Sequence, residues 1–152
     1  MSLIAEILPE NHILLDLNVT SKKRVFEQIG FLLENEMDIK RADIFECLFE
    51  REKLGSTGLG DQVAIPHGCL PQIKQTVGVF VRTKEGIPFD APDGLPVRIM
   101  FILLAPEHDE HNDNTVHLQI LSELAEKLSS QQIVQQLLTT SNASEIKEIL
   151  AG

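Results

Sequence analysis

The residues of this chain that can do chemistry crowd into one stretch, REKLGSTGLGDQVAIPHG, at positions 51–68. It holds a guanidinium, two hydroxyls, several glycines and a histidine set between a proline and a glycine. Pro66 restricts the backbone before the ring and Gly68 leaves little bulk beyond it, so the His67 imidazole is expected to be accessible. Imidazole has a reference pKa of about 6.5, and at neutral pH one ring nitrogen offers a lone pair. Such a nitrogen can attack a phosphoryl group and give a phosphoramidate of high transfer potential, the product a relay needs. Phosphoryl transfer is catalysed mainly by positioning, with cations and aimed donors around the moving group. Arg51 brings a guanidinium fork, and Ser56, Thr57 and the backbone N–H groups of Gly58 and Gly60 are expected to converge on phosphate oxygens. A plain helix-to-strand connection is the competing reading of this glycine loop. A nucleotide-binding P-loop is disfavoured, because the lysine of that motif is absent.

His117 is the second candidate. It lies on an apolar stripe with Leu121, Leu124 and Leu128, where a hydrogen-bonded core histidine is the ordinary expectation. If Thr115 caps that helix, however, His117 falls in its first turn, where free N–H groups and the helix dipole favour an anion. There it would donate to a phosphoryl oxygen or hold the His67 ring. A further cluster, APEHDEHNDN, places His108 and His111 among Glu107, Asp109, Glu110 and Asp113. With His117 these offer nitrogen and oxygen ligands for a divalent metal, and a metal-binding hydrolase or sensor is the alternative reading; a solvated acidic loop is the plain one. Cys47 and Cys69 are too few for a disulfide framework and read as packing residues. Cys69 is expected to face away from His67 and not to act with it as a nucleophile.

These side chains must be positioned by something. The run HILLDL at 12–17 predicts a short strand. Thr20 and Ser21 offer N-caps to a helix carrying Val25, Ile29, Leu32 and Leu33 on one face. Ile44, Cys47, Leu48 and Leu54 predict a second helix, with Arg51 in its last turn and Gly55 ending it in a left-handed conformation. A brief apolar run, Val63, Ala64 and Ile65, is stopped by Pro66. Strands are expected at 76–82 and 97–104, the latter, VRIMFILL, apolar enough to be buried on both faces. From Thr115 onward the period turns helical, with shorter helices at 131–138 and 144–150. Strands interleaved with helices predict an α/β fold, a central sheet covered on both sides, in a single domain spanning 1–152. The patterns leave the sheet parallel, antiparallel or mixed.

Composition narrows the partners. At 152 residues, 43% hydrophobic and 24% charged, the chain can bury a core without metals or disulfides. A formal net charge of −10 repels nucleic acid and anionic lipid, and seven Phe with no Trp or Tyr leave little to stack on bases. No window is apolar enough for a membrane span and MSLIAEILPENH lacks a signal-peptide pattern, so a cytoplasmic protein is expected.

The string REKLGSTGLG...AIPHG, followed by HLQILSELAEKL, resembles the active-site signature of type-2 enzyme IIA domains of the bacterial phosphotransferase system. The resemblance covers nearly the whole chain, and SKKRVFEQIGFLLE resembles the nitrogen-regulatory branch more than the fructose or mannitol branches. It implies a mixed sheet sandwiched between α-helices. It implies phosphorylation of His67 at Nε2, with His117 as the second active-site histidine and Arg51 as the arginine of the Arg-Glu pair. It implies no metal or organic cofactor. The implied donor is a histidine phosphocarrier protein, HPr or its nitrogen-branch paralogue; the implied outputs are regulated target proteins or, in sugar-type members, enzyme IIB.

Overall fold

The computed structural model describes residues 3–107 and 115–152. In chain order the elements are α1 (Leu3–Ile7), a 3-10 turn (Glu10–His12), β1 (Ile13–Leu17), α2 (Lys22–Met37), α3 (Arg41–Leu54), β2 (Gly58–Gly60), β3 (Val63–Ala64), β4 (His67–Leu70), β5 (Val77–Ile87), β6 (Val97–Pro106), α4 (Thr115–Leu128), α5 (Gln131–Thr139) and α6 (Ala143–Ala151). The first strand begins one residue late, because His12 belongs to the 3-10 turn. Ser21 caps α2 as expected, its hydroxyl accepting from the Arg24 N–H.

The sheet is mixed. Its path runs β1-β5-β6-β3-β2, with β4 also paired to β6. β1 lies parallel to β5, β5 antiparallel to β6, and β3 and β4 both parallel to β6. Val63 pairs with Ile99 and His67 with Leu103, an offset of 36 in both cases (99 − 63 and 103 − 67). β3 and β4 are therefore one strand in register, interrupted at Ile65 and Pro66, where the missing proline N–H breaks the ladder.

Alternation along β6 divides the core. Val97, Met100, Ile102 and Leu104 join Val25, Phe26, Ile29, Leu33, Ile44 and Leu48 of α2 and α3 on one face. Ile99, Phe101 and Leu103 join Ile4 of α1, Ile120, Leu124 and Leu128 of α4, and Val134, Leu137, Ile146 and Leu150 on the other. The strand is buried on both sides because both faces carry helices.

Among the described residues, no helix is long and apolar enough to cross a membrane.

Candidate phosphoryl-acceptor site

His67 opens β4, separated from the end of β3 by Ile65 and Pro66. Its register partner Leu103 belongs to the face covered by α4, and strand neighbours directly paired point the same way, so His67 faces α4 as well. Gly68 faces the other side, toward Cys47 of α3. α4 begins at Thr115, which puts His117 in its first turn, at the open end of the stripe that buries Ile120 and Leu124 completely. The two rings meet with centroids 6.1 Å apart, tilted by 52°.

The His67 ring has a defined tautomer. Nδ1 lies 2.8 Å from the Ile65 carbonyl oxygen, which only accepts, so Nδ1 carries the proton and donates. Nε2 is left with the lone pair, on a ring that is partly exposed. His117 differs. Its Nδ1 is buried without a hydrogen-bond partner among the described residues. Desolvation holds its pKa below the ordinary 6.5, and repulsion from His67 adds to the effect. Both causes favour its neutral form, which has a proton to donate from one nitrogen only.

Arg51 stands in the last turn of α3, where Nη1 donates to the Gly55 carbonyl at 2.9 Å. Gly55 ends the helix as expected, but with φ 159° and ψ 148° rather than in the left-handed region, and its N–H returns to the Glu52 carbonyl. This nearly extended residue sends the chain straight into Ser56 and Thr57. The Thr57 carbonyl then accepts from the Ile65 N–H at 3.1 Å, laying the loop beside the segment that carries His67.

Three of the four expected phosphate donors of that loop, Ser56, Thr57 and the Gly58 N–H, are already engaged. The Ser56 hydroxyl donates to the Phe89 carbonyl and accepts from the Gly58 N–H at 3.0 Å. Thr57 is buried, and its N–H and hydroxyl both donate to the Glu52 carboxylate. Gly58 and Gly60 form β2, which pairs with β3, so part of the expected loop is strand. At Gly60, φ 95° is a conformation that side chains resist. The loop is hydrogen-bonded inward, and its polar groups shape it before any ligand arrives.

Cys69 departs from expectation. As the next-but-one residue of β4 it shares a face with His67. Burial raises its thiol pKa, however, and Glu107 adds to the effect, so the thiolate a nucleophile needs is disfavoured. Cys47 is pushed up to about 11 by burial, with smaller contributions from Cys69 and Glu107. His108 and His111 lie outside the described residues, and among the described residues no group of three His, Cys, Asp or Glu is placed to hold a metal.

A partly exposed His67 ring beside a second histidine at a helix start, on a mixed sheet between two helical layers, is the arrangement that the comparisons with known proteins place in the type-2 enzyme IIA class. The family model described as the phosphoenolpyruvate-dependent sugar phosphotransferase system, EIIA 2, matches residues 6–152, and the chain belongs to that family. Within it the chain is similar to the nitrogen-regulatory branch. The crystal structure of nitrogen regulatory protein IIA-Ntr from Neisseria meningitidis is 56% identical, covers 98% of this chain and 99% of its own, and superposes with a TM-score of 0.91. A nitrogen regulatory protein homolog of Haemophilus influenzae is 36% identical over 150 residues, 96% of this chain and 89% of its own. The fold is shared more widely. The complex of enzyme IIA-mannitol and phosphorylated enzyme IIB-mannitol from Escherichia coli matches at 24% identity over 93% of this chain and 95% of that one, with a TM-score of 0.74.

Proposed function

We propose that this chain is a single-domain phosphoryl carrier that takes its phosphoryl group onto Nε2 of His67 from a histidine phosphocarrier protein, HPr or its nitrogen-branch paralogue. The observation that carries the reading is the 2.8 Å contact between His67 Nδ1 and the Ile65 carbonyl oxygen, which takes the Nδ1 proton and leaves the lone pair of the neutral ring on Nε2. The P–N bond to the donor histidine breaks as the P–N bond to Nε2 forms, and the donor ring keeps the electron pair of the broken bond. Arg51, tethered by one nitrogen to Gly55, keeps the rest of its fork for the charge on the moving group. His117 donates one N–H to a phosphoryl oxygen. Ser56, Thr57, Gly58 and Gly60 support the segment that carries His67, through the hydrogen bond from the Ile65 N–H to the Thr57 carbonyl and the pairing of β2 with β3. No metal or organic cofactor is assigned to the step, which needs only an acceptor, a donor protein and fixed charge.

The similarity to nitrogen regulatory proteins favours a regulatory output. A phosphoryl group adds about two negative charges at neutral pH, enough to make or break a docking surface for target proteins in the cytoplasm. Delivery to an enzyme IIB is the second reading, favoured by the fold shared with the mannitol enzyme IIA that is seen bound to its IIB.

Incubation with phosphoenolpyruvate, enzyme I and the carrier protein should give an acid-labile phosphohistidine in the wild-type chain and none in His67→Ala. Label retained by His67→Ala would end the assignment. Pull-downs with His67→Asp and His67→Ala should recover different partners, and identical sets would remove the regulatory reading.

A further inference from the structure

One buried charge lies directly behind the site and has no part in the transfer described above. The Glu52 side chain is only 4% exposed. Its two oxygens are fully used. Oε1 accepts from the Thr57 N–H at 2.9 Å and from Lys22 Nζ at 3.0 Å, and Oε2 accepts from the Thr57 hydroxyl at 2.7 Å. A buried carboxylate is costly unless paired and hydrogen-bonded, and Lys22, itself held 4.4 Å from the Phe89 ring centroid, supplies the pairing.

From Glu52 a continuous line of hydrogen bonds reaches the acceptor ring. Glu52 holds Thr57 by both its N–H and its hydroxyl. The Thr57 carbonyl accepts from the Ile65 N–H at 3.1 Å, and the Ile65 carbonyl accepts from Nδ1–H of His67 at 2.8 Å. The same residue governs the cation: the Glu52 carbonyl accepts from the Gly55 N–H at 3.2 Å, and the Gly55 carbonyl accepts from Arg51. Lone pair and guanidinium are thus set from one carboxyl-bearing residue at the end of α3.

We propose that Glu52 is a positioning residue for phosphoryl transfer, fixing through Thr57 and Ile65 the His67 tautomer that leaves Nε2 unprotonated. The inference rests on His67 being the acceptor. Its physical content is that a shift of the Thr57 segment moves the Ile65 carbonyl away from Nδ1–H. The ring then populates the tautomer with the proton on Nε2, which cannot attack.

The test is nitrogen NMR of the imidazoles in the full chain, with transfer rates measured over a range of carrier concentrations. Wild type should show His67 as one Nδ1-protonated tautomer. Glu52→Gln, which keeps shape but removes the charge paired with Lys22 and puts an amide nitrogen in place of one of the two accepting oxygens, should give a tautomer mixture and a maximal transfer rate lower by roughly tenfold to a hundredfold, the scale of an ångström misplacement. The carrier concentration at half-maximal rate should stay unchanged, because docking is untouched. Thr57→Val, which removes only the hydroxyl, should give a smaller change of both kinds, and it decides the matter if Glu52→Gln does not fold. A folded variant that keeps the single tautomer overturns the proposal, whether its rate is normal or reduced. Should wild-type His67 take no phosphate, the transfer reading falls, while the tautomer comparison still decides whether Glu52 orders the ring.

Discussion

The two imidazoles here stand in different surroundings. Nδ1 of His67 donates to the Ile65 carbonyl. His117 is held below its ordinary pKa of 6.5 by desolvation, with the neighbouring His67 lowering it further. The folded chain therefore binds fewer protons at His117 than the unfolded chain just below pH 6.5, and stability falls as pH drops through that range. NMR titration should place the His117 midpoint below 6.5. In His67→Ala the midpoint should rise but stay below 6.5, because burial remains the larger cause. Phosphorylation of His67 should reverse the sign of the second cause: a dianion now faces His117, and the midpoint should move up past that of His67→Ala. A midpoint indifferent to phosphorylation would mean that the second ring does not face the phosphoryl group.

At the scale of elements, the site depends on how tightly β4 lies against α3. A Cβ added to Gly68 would stand 2.5 Å from the Cys47 sulfur, closer than packed atoms approach. Gly68→Ala is expected to cost about 1–3 kcal/mol by overpacking and to slow phosphate acceptance at the adjacent residue. Cys47→Ala in the same chain should return most of both losses, a coupling that denaturant melts and transfer rates will read as a double-mutant cycle. These contacts also show what the sequence could and could not disclose. The almost unbroken VRIMFILL run, the stripe at 117, 121, 124 and 128, and the Ser21 cap are local signals, and each matches an element of the structure, although Ile120 rather than Leu121 is wholly buried on α4. β2, β3 and β4 hold two to four residues each, too short for any period, and they exist because β6 and each other supply partners. β5 continues to Ile87 through the polar residues Lys84 and Glu85, which a period-based reading ends at Arg82. His67 was legible from its Pro and Gly neighbours. Glu52 was not, since its burial comes from Lys22 and Thr57, which only the fold brings to it.

At the scale of the molecule, the two cores of the described residues lie on opposite faces of the sheet, so the strand order must be held from its edges as well as by β6. Arg82, 4% exposed on β5, is the strut on the α5 side. Nε and Nη2 donate to Asp16 of β1 at 3.1 and 3.2 Å, while Nη1 donates to the carbonyls of Leu137, at 3.0 Å, and Thr140 at the end of α5. The two ends of this strut are unequal. The Asp16 side chain is 57% exposed and returns to water if released, so the ion pair itself contributes little. The Leu137 carbonyl, whose bond to Arg82 is buried, would be left without a partner. Arg82→Met is therefore expected to lose about 1–3 kcal/mol, the cost of stranding a buried acceptor. Asp16→Asn should lose only a few tenths, since asparagine tolerates the positive φ of 56° found at that position. The Arg82 hydrogen bond is also the main cause holding the Asp16 carboxyl below its ordinary 3.8. Its contribution is present at neutral pH and lost as pH falls through the carboxylate range. Urea unfolding at neutral pH and at about pH 3 should then show an acid-sensitive difference in wild type that Arg82→Met reduces by a small amount, the share of Asp16. Because the strut lies at the β1 edge, beyond β5 and β6 from β4, Arg82→Met should accept phosphate on His67 at the wild-type rate while folded.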